Sequence, residues 1–191
     1  VIKAASIFYG YTDLAGNLNK TGLDIAAPAV DVTNPAGNGW HEVLQGIRAG
    51  DLSLTGFLEA VTSTSEPEKL LADNITADGT VLCTVDPVRP SVDGDVCFFA
   101  NLIETQVTEK VRVGEAWGFD AKLKATTPVI RGAVLETVTR TATGTSAAYL
   151  TLPAVGATER LYWGVHVFRP VAGTSPTLDL LIQSDDATNF P

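Results

Sequence analysis

Apolar residues along this chain recur mostly at a period of two. Leu52, Leu54 and Leu58 share a face whose opposite side carries Asp51, Ser53 and Thr55, and Phe119, Ala121 and Leu123 alternate with Asp120, Lys122 and Lys124. Successive side chains of a strand point to opposite sides of the sheet, so this alternation predicts strands with one dry and one wet face. The same reading predicts strands over 2–11, 18–25, 50–61, 96–107 and 129–140, and one more carrying Val81, Cys83 and Val85 on a common face. Residues 96–107 (VCFFANLIETQV) hold so few charges that burial on both faces is expected. Near the C-terminus Leu161, Trp163, Val165 and Val167 alternate with Tyr162, Gly164, His166 and Phe168. That pattern predicts Trp163 inside and His166 on the wetter face. Leu178, Leu180 and Ile182 continue it beyond a hairpin-like connection from Pro170 to Pro176.

Helical spacing occurs twice. Val43, Leu44 and Ile47 stand at i, i+1 and i+4, which predicts one or two helical turns over Trp40–Ile47. Ser65-Glu66-Pro67-Glu68 has the form of a capping box ahead of Leu70, Leu71 and Ile75, which predicts a helix over 64–74. Turns are expected at 12–17, at Asp78-Gly79 and at Asp93-Gly94-Asp95, and a long polar loop runs from Pro28 to Gly39. About nine strands and a single good helix, with no regular alternation of the two, predict a mainly β chain: a β-sandwich or barrel with one flanking α-helix. No repeat or linker divides the sequence, so 1–191 reads as a single domain.

Charge and composition narrow the function. The chain carries 13 basic and 22 acidic residues, net −9. Phosphate-gripping proteins need the opposite sign, so ordinary nucleic-acid binding is excluded. The acidity is uneven: residues 1–95 hold 13 acids and 5 bases, net −8, and the second half is near balance. No apolar run approaches the ~18–20 residues that span a bilayer, and no secretory leader pattern opens the chain. The chain starts at Val1 and contains no Met, so an upstream segment is expected to precede it. Cys83 and Cys97 flank the turn-like Asp86–Pro90 stretch; they face each other across a hairpin or lie buried as free thiols, the second being the usual state of such residues.

A search for chemistry finds little. His41 and His166 have no partners at metal-ligand spacing, so no metal or other cofactor is expected. There is no nucleophile elbow and no phosphate-cradling glycine loop. The carboxylate pairs Asp93/Asp95 and Asp185/Asp186 sit in turns, where Asp serves local backbone hydrogen bonds. No enzyme is predicted.

Two stretches carry a resemblance. The first runs through Ala29-Val30-Asp31-Val32-Thr33-Asn34, Gly39-Trp40-His41-Glu42-Val43-Leu44, Gly46-Ile47-Arg48-Ala49-Gly50 and Leu52-Ser53-Leu54-Thr55-Gly56-Phe57. It resembles the pattern of tail tube (major tail) proteins of long non-contractile-tailed bacteriophages, the siphovirus type. The second, from Val129-Ile130-Arg131-Gly132 through Arg140–Thr145, Gly173–Asp179 and Gln183–Ala187, looks like tail-structural proteins of actinobacterial-type phages. The family's pattern runs a little past Pro191, so a further C-terminal piece is expected.

The resemblance implies a structural virion protein, a β-sandwich or barrel with one flanking helix and no catalytic residue. Its subunits form stacked, usually hexameric rings whose lumen conducts the viral DNA at ejection. Neighbouring sheets join into a continuous inner barrel, and loops contact the next ring. The implied partners are further copies of itself and other tail proteins (tape measure, terminator, baseplate-proximal). DNA passes without specific binding, and no membrane is involved. The place is the virion tail, assembled in the host cytoplasm. An acidic lumen fits such a conduit, because it repels phosphate. Residues 29–50 are expected to touch other subunits, with Asp31, Asn34, Trp40, His41, Glu42 and Arg48 as interface candidates, and 51–61 to be a sheet strand of the ring. A different class of function also fits: a phage particle decoration or carbohydrate-binding sandwich in which an exposed Trp40, Trp117 or Trp163 stacks on sugars. A hydrolase on a β-sandwich is a third and more distant reading.

Overall fold

A computed structural model describes residues 5–32, 43–57, 79–110, 116–137, 158 and 160–168. Within them all regular structure is β. The strands are β1 (Ser6–Tyr9), β2 (Thr12–Asp13), β3 (Leu18–Ala26), β4 (Ala29–Asp31), β5 (Val43–Gln45), β6 (Ala49–Phe57), β7 (Val81–Asp86), β8 (Val96–Lys110), β9 (Gly118–Ala125) and β10 (Ile130–Ala133). The predicted helix over 64–74 and the strand at 178–183 lie outside the described residues.

Eight strands form one antiparallel sheet in the order β2-β1-β7-β8-β9-β6-β3, with β10 also on β8. Strands β2 and β3 stand at opposite ends of that order, yet only residues 14–17 separate them. A flat sheet would hold its end strands about 29 Å apart at ~4.8 Å per strand. The five Cα steps from Asp13 to Leu18 span at most about 18 Å. The sheet therefore curls until its ends meet. The short link ties the seam: the Leu14 amide donates to the Ile7 carbonyl on β1, and the Asn17 carbonyl accepts from Phe57 at the end of β6.

Inside the curl lies the core: Ile7, Tyr9, Leu14, Leu52, Leu54, Cys83, Ala100, Leu102, Phe119, Ala121 and Leu123. The alternations read from the sequence place these side chains. In β6 Leu52 and Leu54 point in while Asp51 and Ser53 stay wet, and β9 repeats the pattern with Phe119, Ala121 and Leu123. Gly56 is required where the seam closes, because a Cβ there would meet the Asn17 carbonyl oxygen at 2.3 Å. Both cysteines are buried and free; Cys83 stands opposite Ala100, so the strand register keeps it away from Cys97.

Four expectations are corrected. Residues 12–13 form a short strand, and the turn comes after it. Val43–Gln45 are not helical: they pair with Ala29–Asp31 as β5 against β4. A partner strand supplies hydrogen bonds that outweigh a weak local spacing, and Val43 is β-branched. Only the first half of β8 is covered on both sides; from Ile103 onward the outer face is open. Residues 161–168 form no strand, and Trp163 points outward at 62% exposure while His166 is half-buried. Alternation tells which residues share a face, and packing decides which face is covered.

Candidate subunit-interaction surfaces

Three unpartnered features stand out. The first is an arm. Strands β4 and β5 prolong β3 and β6 past a break at 27–28 and 46–48, where the Gly46 amide donates to the Pro28 carbonyl at 2.6 Å. Gly46 has no room for a side chain, since a Cβ would come within 2.8 Å of that carbonyl. The arm carries Val30 and Val32 exposed, and Ile47 at its root is 89% exposed.

The second is a pair of free strand edges. Strand β7 pairs with Phe98–Leu102 of β8, whereas β9 pairs with Leu102–Lys110 along the other edge. Among the described residues the β7-side edge of 103–110 therefore has no partner. A register shift between Glu104 and Gln106 interrupts the β8–β9 ladder just past Leu102, the last residue paired to β7; an extra residue of this kind bends and twists a strand locally. The outer edge of β3 is also unpaired among the described residues. Among the described residues the half-sheet β8-β9-β6-β3 is thus four strands wide with an open edge on each side. At the bend, Tyr9 Oη donates to Glu104 Oε1 at 2.7 Å. Oε2 is buried with no hydrogen-bond partner, and burial pushes the Glu104 acid up to about 7, against the lowering effect of the Tyr9 hydrogen bond.

The third is the ribbon 160–168, laid across the outer face of β1 and β7. Its inner side is anchored. His166 Nδ1 lies 2.7 Å from the Gly10 carbonyl and Nε2 lies 2.8 Å from Thr84 Oγ1. The Phe8 ring packs against His166 and Phe168 at 5.7 and 5.0 Å between centroids. Gly164 passes so close to Leu82 that a Cβ would meet it at 2.9 Å. The outer side presents Leu161, Trp163, Val165 and Val167 to solvent.

No protein-family model matches the chain and no curated protein matches it. Solved structures do. The chain is similar to a chain in the virion of a native gene transfer agent particle, with 15% identity over 69% of this chain and 97% of that one and a TM-score of 0.56. It is similar to a chain of the SPP1 tail tube, with 10% identity over 70% of this chain and 78% of that one and a TM-score of 0.54. It is also similar to a chain of the PVC sheath-tube complex of an extracellular contractile injection system, with 13% identity over 70% and 91% and a TM-score of 0.53. The fold is that of phage tail tubes.

On this tail tube fold two of the sequence candidates fall within the described residues, both at the arm. Asp31 lies on β4 and Arg48 at the foot of the arm, both exposed; Arg48 Nη2 reaches Gln45 Oε1 at 3.4 Å. Asn34, Trp40, His41 and Glu42 fall outside the described residues. The ribbon and the bend at Glu104 were not among the candidates. A signal for the ribbon was present: 161–168 is apolar or aromatic at odd and even positions alike, which calls for cover on both sides.

The wet face of the four-stranded half is near neutral, with four lysines against three aspartates. Lys20, Lys110, Lys122 and Lys124 stand among Asp24, Asp51 and Asp120. Lys110 pairs with Asp120, whose acid is held below its usual value first by that contact and then by Thr55; Lys124 lies 3.9 Å from Asp51. These exposed pairs contribute little to stability. Asp95 accepts from the Val92 amide, the ordinary duty of a turn carboxylate, whereas Asp93 accepts from the distant Thr137 amide.

Proposed function

We propose that this chain is a tail tube subunit of a phage-type particle, one tail-tube-like domain that builds stacked rings and performs no catalysis. The observation that carries the proposal is the four-stranded half-sheet whose two edges are both open among the described residues, in a fold matched by a tail tube chain. Two different open edges on one subunit favour head-to-tail pairing between copies, which closes into a ring when the rotation fits. Edge-to-edge pairing of such half-sheets makes one continuous barrel around a lumen. Six copies are the expected number by family resemblance, with viral DNA passing through, other tail proteins at the tube's ends and assembly in the host cytoplasm.

Within this reading the arm reaches an adjacent ring, with Asp31 and Arg48 on it as contact candidates; Asn34, Trp40, His41 and Glu42 remain candidates from the sequence. The charge of the lumen depends on which face turns inward. The wet face of β8-β9-β6-β3 carries Lys110, Lys122 and Lys124 beside its aspartates. If that face lines the channel, the wall is near neutral, and the acidic lumen expected from the net charge requires another face.

Among the described residues the exposed Trp117 and Trp163 are what supports the carbohydrate-binding reading. Sugar platforms combine an aromatic with hydrogen-bonding neighbours, and Trp163 sits among Leu161, Val165 and Val167, which offer none. Negative-stain microscopy of the concentrated protein separates the two. Rings or tubes about 100 Å across, the size expected for a ring of domains this large, support the proposal. A monomer that never polymerises and binds a glycan array overturns it.

A further inference from the structure

We infer that the outward row of the ribbon, Leu161, Trp163, Val165 and Val167, is the seat for the β4–β5 arm of a second copy of this chain. The inference rests on the tube reading and adds to it one specific contact between subunits.

The ribbon has the character of a strand short of one neighbour. Its inner side is pinned through His166, Phe168 and Gly164, at every second position, and its outer side is apolar. Among the described residues its backbone makes no backbone hydrogen bond. A contiguous apolar row of this kind on a soluble chain marks a contact surface. The arm has the complementary need. A two-stranded hairpin is marginal in water without a surface to lie on, yet Val30, Val32 and Ile47 stand in solvent. Both surfaces belong to one chain and both remain exposed, so neither covers the other within a subunit. Arm-to-ribbon contact between copies joins two unlike patches, the kind of interface that propagates from subunit to subunit. It also combines strand pairing with apolar side-chain contact. Other occupants fit less well. A lipid surface calls for a basic surround, and Arg160 is the one basic residue among those described on the ribbon, in a chain of net charge −9.

The test uses Val30→Cys and Val165→Cys in the full chain, each polymerised alone and then mixed in equal amounts, with a short bis-maleimide linker. Cys83 and Cys97 are buried and burial raises both thiols, Cys83 to about 12, so wild type serves as a silent control. The expected result is a covalent dimer in the mixture and none in either single sample. Trp163→Ala provides the second arm: the concentration needed to polymerise rises about tenfold or more, as for loss of a central aromatic anchor, with an unchanged melting temperature. Tubes that form without the mixed cross-link overturn the inference and leave the tube reading standing. So does a Trp163→Ala protein that polymerises at the wild-type concentration, or one that melts lower because Trp163 is covered by its own chain. A wild-type protein that never polymerises overturns the tube reading and this inference together.

Discussion

Glu104 and His166 are the two residues whose ionisation the fold disturbs most informatively. Glu104 points into the curl at the bend of β8, and its acid rises from 4.5 to about 7 because burial penalises the carboxylate. Folding therefore favours the protonated form. That contribution is full below the unfolded value of 4.5 and is lost as pH rises through about 7. At ~1.36 kcal/mol per unit the shift corresponds to roughly 3 kcal/mol, and solvent at this half-buried side chain screens it to about 1–2 kcal/mol. Glu104→Gln keeps an acceptor for Tyr9 and removes the charge. Its melting temperature should match wild type near pH 5 and exceed it by about 2–8 °C near pH 8; equal values at both would show that Glu104 is solvated. His166 shifts the other way: desolvation, partly opposed by the Gly10 carbonyl, lowers it from 6.5. The neutral ring is favoured in the folded state, so its contribution is present above 6.5 and is lost as pH falls through the lowered value. Amide exchange measured over 160–168, corrected for the intrinsic pH effect, should accelerate in mild acid, and His166→Gln should flatten that response.

At the scale of elements, the seam where the link 14–17 meets the end of β6 leaves no room for a side chain at Gly56. Gly56→Ala places a methyl against the Asn17 carbonyl and the Phe119 ring. Overpacking of this kind costs about 1–3 kcal/mol, readable as a fall in the urea midpoint. Gly16→Ala is the control on the same link, since nothing lies within 4 Å of a Cβ there. Strands β3, β6, β7 and β9 were legible because each is half-buried, and a half-buried strand writes its geometry into alternation. Strand β5 was not, because three residues carry too little pattern to oppose the spacing of Val43, Leu44 and Ile47. The ribbon deceived for a different reason: its alternation is real, but the face with Trp163 has no cover within the described residues.

For the whole molecule, charge sets the conditions of assembly. Each copy carries net −9, so bringing copies together is opposed by repulsion that salt screens. Raising ionic strength from about 0.02 to 0.15 M shortens the screening length to ~8 Å, and the concentration at which light scattering reports polymer should fall. The opposite trend would mean that pairs such as Lys110–Asp120 and Lys124–Asp51 exchange partners between subunits and carry the contact. Of the candidate interface residues, Asp31 and Arg48 were placed by sequence on what proves to be an exposed arm. The low charge of 96–107 was read as burial on both faces, whereas β8 beyond Leu102 keeps an open edge among the described residues. The ribbon was not anticipated, because exposure is a property of what lies above a face.

The sequence by itself determined the period-two pattern, and with it the β character, the dry faces of β6 and β9, the acidity and the absence of a recognisable catalytic motif. These follow from short-range rules, in which each residue constrains its neighbours two positions away. The tertiary structure decided what depends on distant residues: that the sheet curls until its end strands meet, that β8 runs past β7 beyond Leu102 with an edge left open among the described residues, that 43–45 pair with 29–31, and that Trp163 faces out. Alternation fixes side chains relative to one another. Only the packing of segments far apart in the chain assigns one of the two faces to the interior and leaves the other for a partner.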